Sequence, residues 1–222
     1  LFMAAPATWI GVLVVYVVVV VAVSLVPLLG QIASGLLAPV LAAGVMVGCR
    51  DLDRGLPLRV AHLFACFDGR LPSLLIASAI YLGGWIALWL LAGAFIFGAA
   101  GAGLAFSLLA GDPAALASSA LAGLGLGALV ATLLVLLLSI PLMMAFWFAP
   151  ALIALRGDEP VAAMLASFSG SLTNVLPLLV YSLIGLALAI VASIPFGLGW
   201  LVLGPMLGGS VYASWRDIFA PD

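Results

Sequence analysis

Six long apolar stretches alternate with short polar ones along this chain, over about residues 6–29, 31–49, 71–98, 119–148, 174–196 and 199–215. A helix needs roughly 17–25 mostly apolar residues to cross the hydrocarbon core of a bilayer, so the pattern predicts six membrane-spanning helices. Tight turns join two of the pairs. "SLVPLLGQ" links the first and second spans, and "SIPFGLG" links the fifth and sixth. In both, Pro removes a helix donor and Gly adds backbone freedom. The third and fourth spans exceed what a bilayer needs, which implies tilt or protrusion. Between them "GDPAALASS" reads as a helix start, with Asp112 as N-cap and Pro113 at the first helical position.

Two shorter segments carry a different period. In 57–68, Val60, Leu63, Phe64 and Phe67 stand at i, i+3, i+4 and i+7; in 160–171, Val161, Met164, Leu165 and Phe168 do the same. That spacing gathers four apolar groups on one helix face. Each segment is too short to cross, so each is expected to lie in the interface, apolar face toward acyl chains or the bundle. The opening "LF", followed by Pro6 and Trp9, reads as the tail of a third such helix, with the natural N-terminus expected upstream of Leu1.

Charge orients these elements. Only 6% of the residues are charged and 67% are hydrophobic, against roughly 25% charged in soluble domains, so the solvent for most of the surface must be lipid. The net charge of −2 gives no case for nucleic acid. All six basic residues are Arg: Arg50, Arg54, Arg59 and Arg70 follow the second span, Arg156 the fourth and Arg216 the sixth. The opposite loops hold only Asp112. Arg excess in short loops marks the cytoplasm, so these six set the topology and place both termini inside. The cluster "CRDLDRG" is then a cytoplasmic helix end, with Arg50 expected to pair with Asp53 and Asp51 with Arg54. Cys49 and Cys66, on that side, are expected as reduced thiols.

The junction recurs. "APVLAAGVMVGCRDL" (38–52) aligns without gaps on "GPMLGGSVYASWRDI" (204–218), and Pro141 with Arg156–Gly157 offers a weaker third copy. The unit is an interfacial helix followed by a transmembrane hairpin, used three times. The fold class is therefore an all-α integral membrane six-helix bundle forming a single domain over 1–222, with a pseudo-threefold arrangement as one consequence. Each even-numbered span carries a Pro (Pro39, Pro141, Pro205) and small residues four apart: Ala38/Ala42, Ala145/Ala149 and Gly204/Gly208. Small-xxx-small faces let helices approach closely in lipid, which places the even spans at the centre.

Chemistry is sparse. No ionisable group lies in the middle of a span, His62 has no ligand-spaced partner, and "GLGLG" (123–127) is a packing run of glycines. No catalytic, cofactor-binding or metal site is expected. Uncharged polar groups at helix depth include Ser78, Thr132, Ser182, Ser193 and Tyr212, with Tyr81, Ser139, Tyr181 and Ser210 as candidates to line a cavity. Most such groups bond to backbone carbonyls. Asn174 marks the start of the fifth span. Trp9, Trp147 and Trp215 read as a cytoplasmic aromatic belt, with Trp200 near the other side.

The pieces "GCRDLDRGLPLRVAHLFACF", "FWFAPALIAL", "AMLASF" and "SVYASWRDIF" together resemble a bacterial family of polytopic inner-membrane proteins designated by a locus tag. The resemblance implies six spans and an inner-membrane address, and no activity. A more distant one is to the membrane domain accompanying some glycerophosphodiester phosphodiesterases, whose catalytic half is absent. Two functions are left: a non-catalytic scaffold, assembly factor or accessory subunit working with membrane lipids and other membrane proteins, or a facilitator or channel for a small neutral or lipid-like substrate. A dry centre favours the first; a cavity lined by Tyr81, Ser139, Tyr181 and Ser210 favours the second.

Overall fold

A computed structural model describes residues 2–27 and 29–220. Leu1, part of the expected third interfacial helix, and Leu28, in the turn after the first span, lie outside the described residues. The α-helices are α1 (Pro6–Ser24), α2 (Leu29–Asp53), α3 (Leu71–Leu109), α4 (Leu116–Trp147), α5 (Ala149–Arg156), α6 (Pro160–Thr173), α7 (Val175–Ser193) and α8 (Trp200–Phe219). Short 3-10 turns cover Phe2–Ala4, Val60–Phe64 and Pro113–Ala115. No strand occurs among the described residues.

Among the described residues, five helical stretches are long and apolar enough to cross a membrane: α1, α2, α3, α4 continued through α5, and α7. The expected sixth, α8, is 20 residues long but less apolar, because Gly, Ser and the terminal Arg216–Asp217 dilute its Leu and Val. Predicted and observed ends differ most at α3, expected to stop near residue 98 but continuing to Leu109. Beyond residue 98 the helix continues with Gly103 against Ser119 at the start of α4.

The chain divides into two compact units. One comprises Leu1–Ile80 with Met144–Asp222, the other Tyr81–Met143. In the first, α2 packs against α1, α5, α8 and the Val60–Phe64 turn. Trp9, Leu41, Leu63, Leu74, Phe148, Leu152 and Ile153 fill its centre and are almost completely buried. The second unit is an antiparallel hairpin of the α3 and α4 segments. Gly103 lies on the Ser119 carbonyl and Gly123 on the Ala99 carbonyl, while a Cβ on Gly127 would stand 2.7 Å from the Phe95 oxygen. Only glycine permits that backbone approach. The Ser107 and Ser119 hydroxyls bond at 2.6 Å, and Asp112 Oδ1 accepts the Ala114 and Ala115 amides, the cap expected of it. The hairpin's outward face is apolar, with Phe97 and Phe106 more than 70% exposed, as lipid contact requires.

Two expectations need correction. The segment 57–68 is not an interfacial α-helix; only Val60–Phe64 is helical, as a 3-10 turn. His62 Nδ1 accepts the Arg59 amide, so a side chain takes the place of a helical backbone partner, and the turn is pressed onto Gly44 and Gly48 of α2. The segment 160–171 is helical (α6), but its inward face is Pro160, Ala163, Met164, Ser167 and Ser171. Val161 and Leu165 point outward, more than half exposed. Of the even-span prolines, Pro205 is buried and Pro39 half-buried, whereas Pro141 is exposed in the second unit.

Candidate functional site

The charged residues of the first unit do not pair as the sequence spacing implied. Asp53 leaves Arg50 and accepts two hydrogen bonds from Arg216 Nη1, at 3.0 and 2.9 Å, and one from the Tyr212 hydroxyl at 3.2 Å. This ties the end of α2 to the end of α8. Asp51 leaves Arg54 and meets His62 Nε2 at 3.2 Å, with Arg50 Nε more distant at 3.7 Å. Helix periodicity explains the outcome: neighbouring elements present better-oriented donors than a residue three places along the same helix.

Arg70 is a second tie. It donates to both Asp68 carboxylate oxygens, to the Ala65 carbonyl at 2.7 Å and to the Ala154 carbonyl at 3.0 Å. The last bond fixes the start of α3 to the end of α5. The guanidinium beside Asp68 holds that carboxyl down to about 2. Arg156 pairs with Asp158. Burial pushes the Cys66 thiol up, and both Cys49 and Cys66 are free and buried.

α2 and α8 pack together, with Gly208 against Val45 of α2 and Gly204 against Leu13 of α1, but the packing does not close completely. Ala42, Gly204, Pro205 and Gly208 line a cavity of about 200 Å³ with Trp9, Leu13, Tyr16 and Met46. A second hollow of about 420 Å³ lies between α1 and α8, lined by Val14, Val17, Val18, Trp200 and Leu201, and it shares Leu13 and Gly204 with the first. Together they form an apolar crevice. Ala38 is half-buried at the α2 stripe; Ala145 is half-buried and Ala149 fully buried at the α4–α5 joint.

None of the four proposed cavity residues lines this crevice. The Tyr181 and Ser210 hydroxyls bond each other at 2.8 Å, and Ser210 also donates to the Leu207 carbonyl. Ser139 donates to the Leu136 carbonyl, and Tyr81 stacks edge-on against Trp85. Thr132, Ser182 and Ser193 likewise bond carbonyls of the preceding turn, as expected of polar groups in lipid. Asn174 caps α6 and opens α7 through a bond to the Gly170 carbonyl. The aromatic belt needs correction: Trp9 and Trp215 are buried, while Trp147 and Trp200 are about 40% exposed. Trp9 packs beside Ala42, Gly204 and Gly208, and Trp215 stacks on Tyr212.

One structural residue escaped the sequence reading. Ser167 accepts the Phe148 amide at 2.9 Å and donates to the Met144 carbonyl at 2.7 Å. It fills the break between α4 and α5, where Pro150 lacks the amide that a continuous helix would need. The signal was present, since "FWFAPALIAL" puts Pro inside a helical pattern and "AMLASF" carries the lone hydroxyl.

A family described as a domain of unknown function, DUF7847, matches residues 71–216. A probable inner membrane protein of Burkholderia thailandensis is 32% identical over 222 residues, covering 96% of this chain and 77% of that protein. No solved structure matches the chain.

Proposed function

The chain belongs to the DUF7847 family, and from that footing we propose that it is a non-catalytic scaffold, assembly factor or accessory subunit of an inner-membrane complex. The observation that carries the reading is the filled centre of the first unit, where Leu41, Leu63, Leu74, Phe148 and Leu152 are at most 1% exposed. A solute path needs polar groups free to face it, and Tyr181 and Ser210 instead satisfy each other. The exposed apolar helix faces are available to lipid and to other membrane proteins. Both termini on the cytoplasmic side is part of the proposal. The test is extraction in a mild detergent followed by mass spectrometry of co-purifying proteins and lipids. A stoichiometric membrane partner supports the scaffold; recovery of the chain alone and unliganded counts against it.

The facilitator reading keeps one specific support, the apolar crevice between α1, α2 and α8. Its lining suits a hydrocarbon chain rather than a polar solute. Filling it with Gly204→Leu, where an added Cβ would stand 3.2 Å from the Leu13 side chain, distinguishes the two. Loss of a lipid-dependent phenotype with partner binding intact favours the facilitator; the reverse favours the scaffold.

A further inference from the structure

At the end of α2 the two carboxylates of "CRDLDRG" are drawn off to other elements: Asp53 to Arg216 and Tyr212, Asp51 mainly to His62. Arg50, in the last turn of α2, and Arg54, in the turn just after it, are left four residues apart in sequence, the Arg54 amide donating to the Arg50 carbonyl. The Arg50 side chain is only 28% exposed. Its Nε is buried without a hydrogen-bond partner, and its one ion-pair contact among the described residues is the 3.7 Å approach to Asp51. Arg54 is exposed, and no ion pair joins it among the described residues. A guanidinium stays charged at any physiological pH. With Arg50 holding only the long contact to Asp51 and Arg54 in no ion pair among the described residues, the two guanidinium groups have capacity left for an anion from outside the chain.

We propose that Arg50 and Arg54 form a binding site for the phosphate of an anionic phospholipid. The planar forks of two guanidinium groups match phosphate oxygens. They stand at the end of a helix long and apolar enough to cross a membrane, just before a segment that exposes Leu56, Phe64 and Phe67, which is where headgroup phosphates lie. The helix C-terminus favours cations there, so the site is held without cost to the fold when the anion is bound. This inference is independent of the scaffold reading, since a lipid site fits either function.

The test uses the full chain reconstituted in bilayers containing equal phosphatidylglycerol and phosphatidylcholine, extracted in neutral detergent and weighed intact by native mass spectrometry. The wild type is expected to retain phosphatidylglycerol and not phosphatidylcholine. Arg54→Gln is expected to lower retention about fivefold, the effect of one basic residue near an anionic lipid; Arg156→Gln, which loses a guanidinium already paired with Asp158, is expected to leave it unchanged. Arg50→Gln risks misfolding because that side chain is largely buried, so the exposed Arg54 decides the outcome. Retention unchanged in Arg54→Gln, or reduced equally in Arg156→Gln, overturns the site. Displacement of the lipid by inorganic phosphate at equal concentration overturns the lipid as the source. Capture of an acidic protein segment rather than lipid by a photo-cross-linker placed at the exposed position 56, with both arginines kept, overturns it as well.

Discussion

Gly44 shows how a single missing side chain positions the polar end of the first unit. A Cβ there would run into the Leu63 carbonyl and stand 2.5 Å from the His62 carbonyl. Both are backbone atoms, so the turn carrying His62 would have to lift off α2 and give up its contact with Asp51. Gly44→Ala is expected to destabilise by about 1–3 kcal/mol, the usual penalty for overpacking. Gly125→Ala, with nothing within 4 Å, should be neutral or stabilising by up to about 1 kcal/mol through helix propensity. Thermal unfolding in detergent compares them. Asp68 yields a pH dependence. Its carboxyl titrates at about 2 when folded instead of 3.8, so its bond to Arg70 contributes in full above the ordinary value and is lost as pH falls from there toward 2. Asp68 is 51% exposed, and screening limits the effect to about 1 kcal/mol. Asp68→Asn should remove that acid slope and lower the unfolding midpoint at neutral pH by the same small amount, so that the two proteins converge as pH falls toward 2.

At the scale of elements, the α4–α5 joint rests on Ser167, reaching across from α6. Ser167→Ala would leave the buried Phe148 amide without a partner and cost about 1–3 kcal/mol. Ser169→Ala, on the exposed face of the same helix, should stay within about 0.5 kcal/mol. The same joint shows what the sequence could convey. Apolar run length located α1, α2, α4 and α7 within a few residues, because burial in lipid depends on hydrophobicity alone. Gly204 and Gly208, four residues apart, face Leu13 of α1 and Val45 of α2. Partner choice was not legible. Asp53 selects Arg216, 163 residues away, and Ser167 selects Met144 and Phe148, because orientation across helices decides hydrogen bonds and a linear spacing rule does not contain it. The 57–68 segment failed for a related reason: its apolar period is real, but the notch at Gly44 and Gly48 recruits Leu58 and Leu63 as a tight turn. Cys66 and Ser167, at matching places in the two amphipathic segments, are both fully buried.

At the scale of the molecule, the ties between elements bear on how the chain sits in the membrane. Asp53 with Arg216 joins the ends of α2 and α8, Asp51 with His62 adds the turn after α2, and Arg70 on the Ala154 carbonyl joins the start of α3 to the end of α5. The arginines of the first unit therefore gather at the helix ends that these bonds bring together. The turn after α7 lies at the other end of α8: Phe196 there is fully exposed with a φ of 51°, and Gly197 follows with a φ of 80°. α8 is 20 residues long, about 30 Å, which is enough to separate Phe196 from Asp217 by a hydrocarbon core despite its modest hydropathy. A membrane-impermeant maleimide applied to intact cells should then label Phe196→Cys, and should label Asp217→Cys only after the inner membrane is opened. The native thiols give little background, since Cys49 and Cys66 are fully buried and the raised Cys66 thiol holds little of the reactive thiolate. Equal labelling of both positions from one side would mean that α8 lies along the membrane rather than through it. The arginine asymmetry would then mark a helix held flat at the interface, and the count of crossings would fall to the five that length and apolarity support.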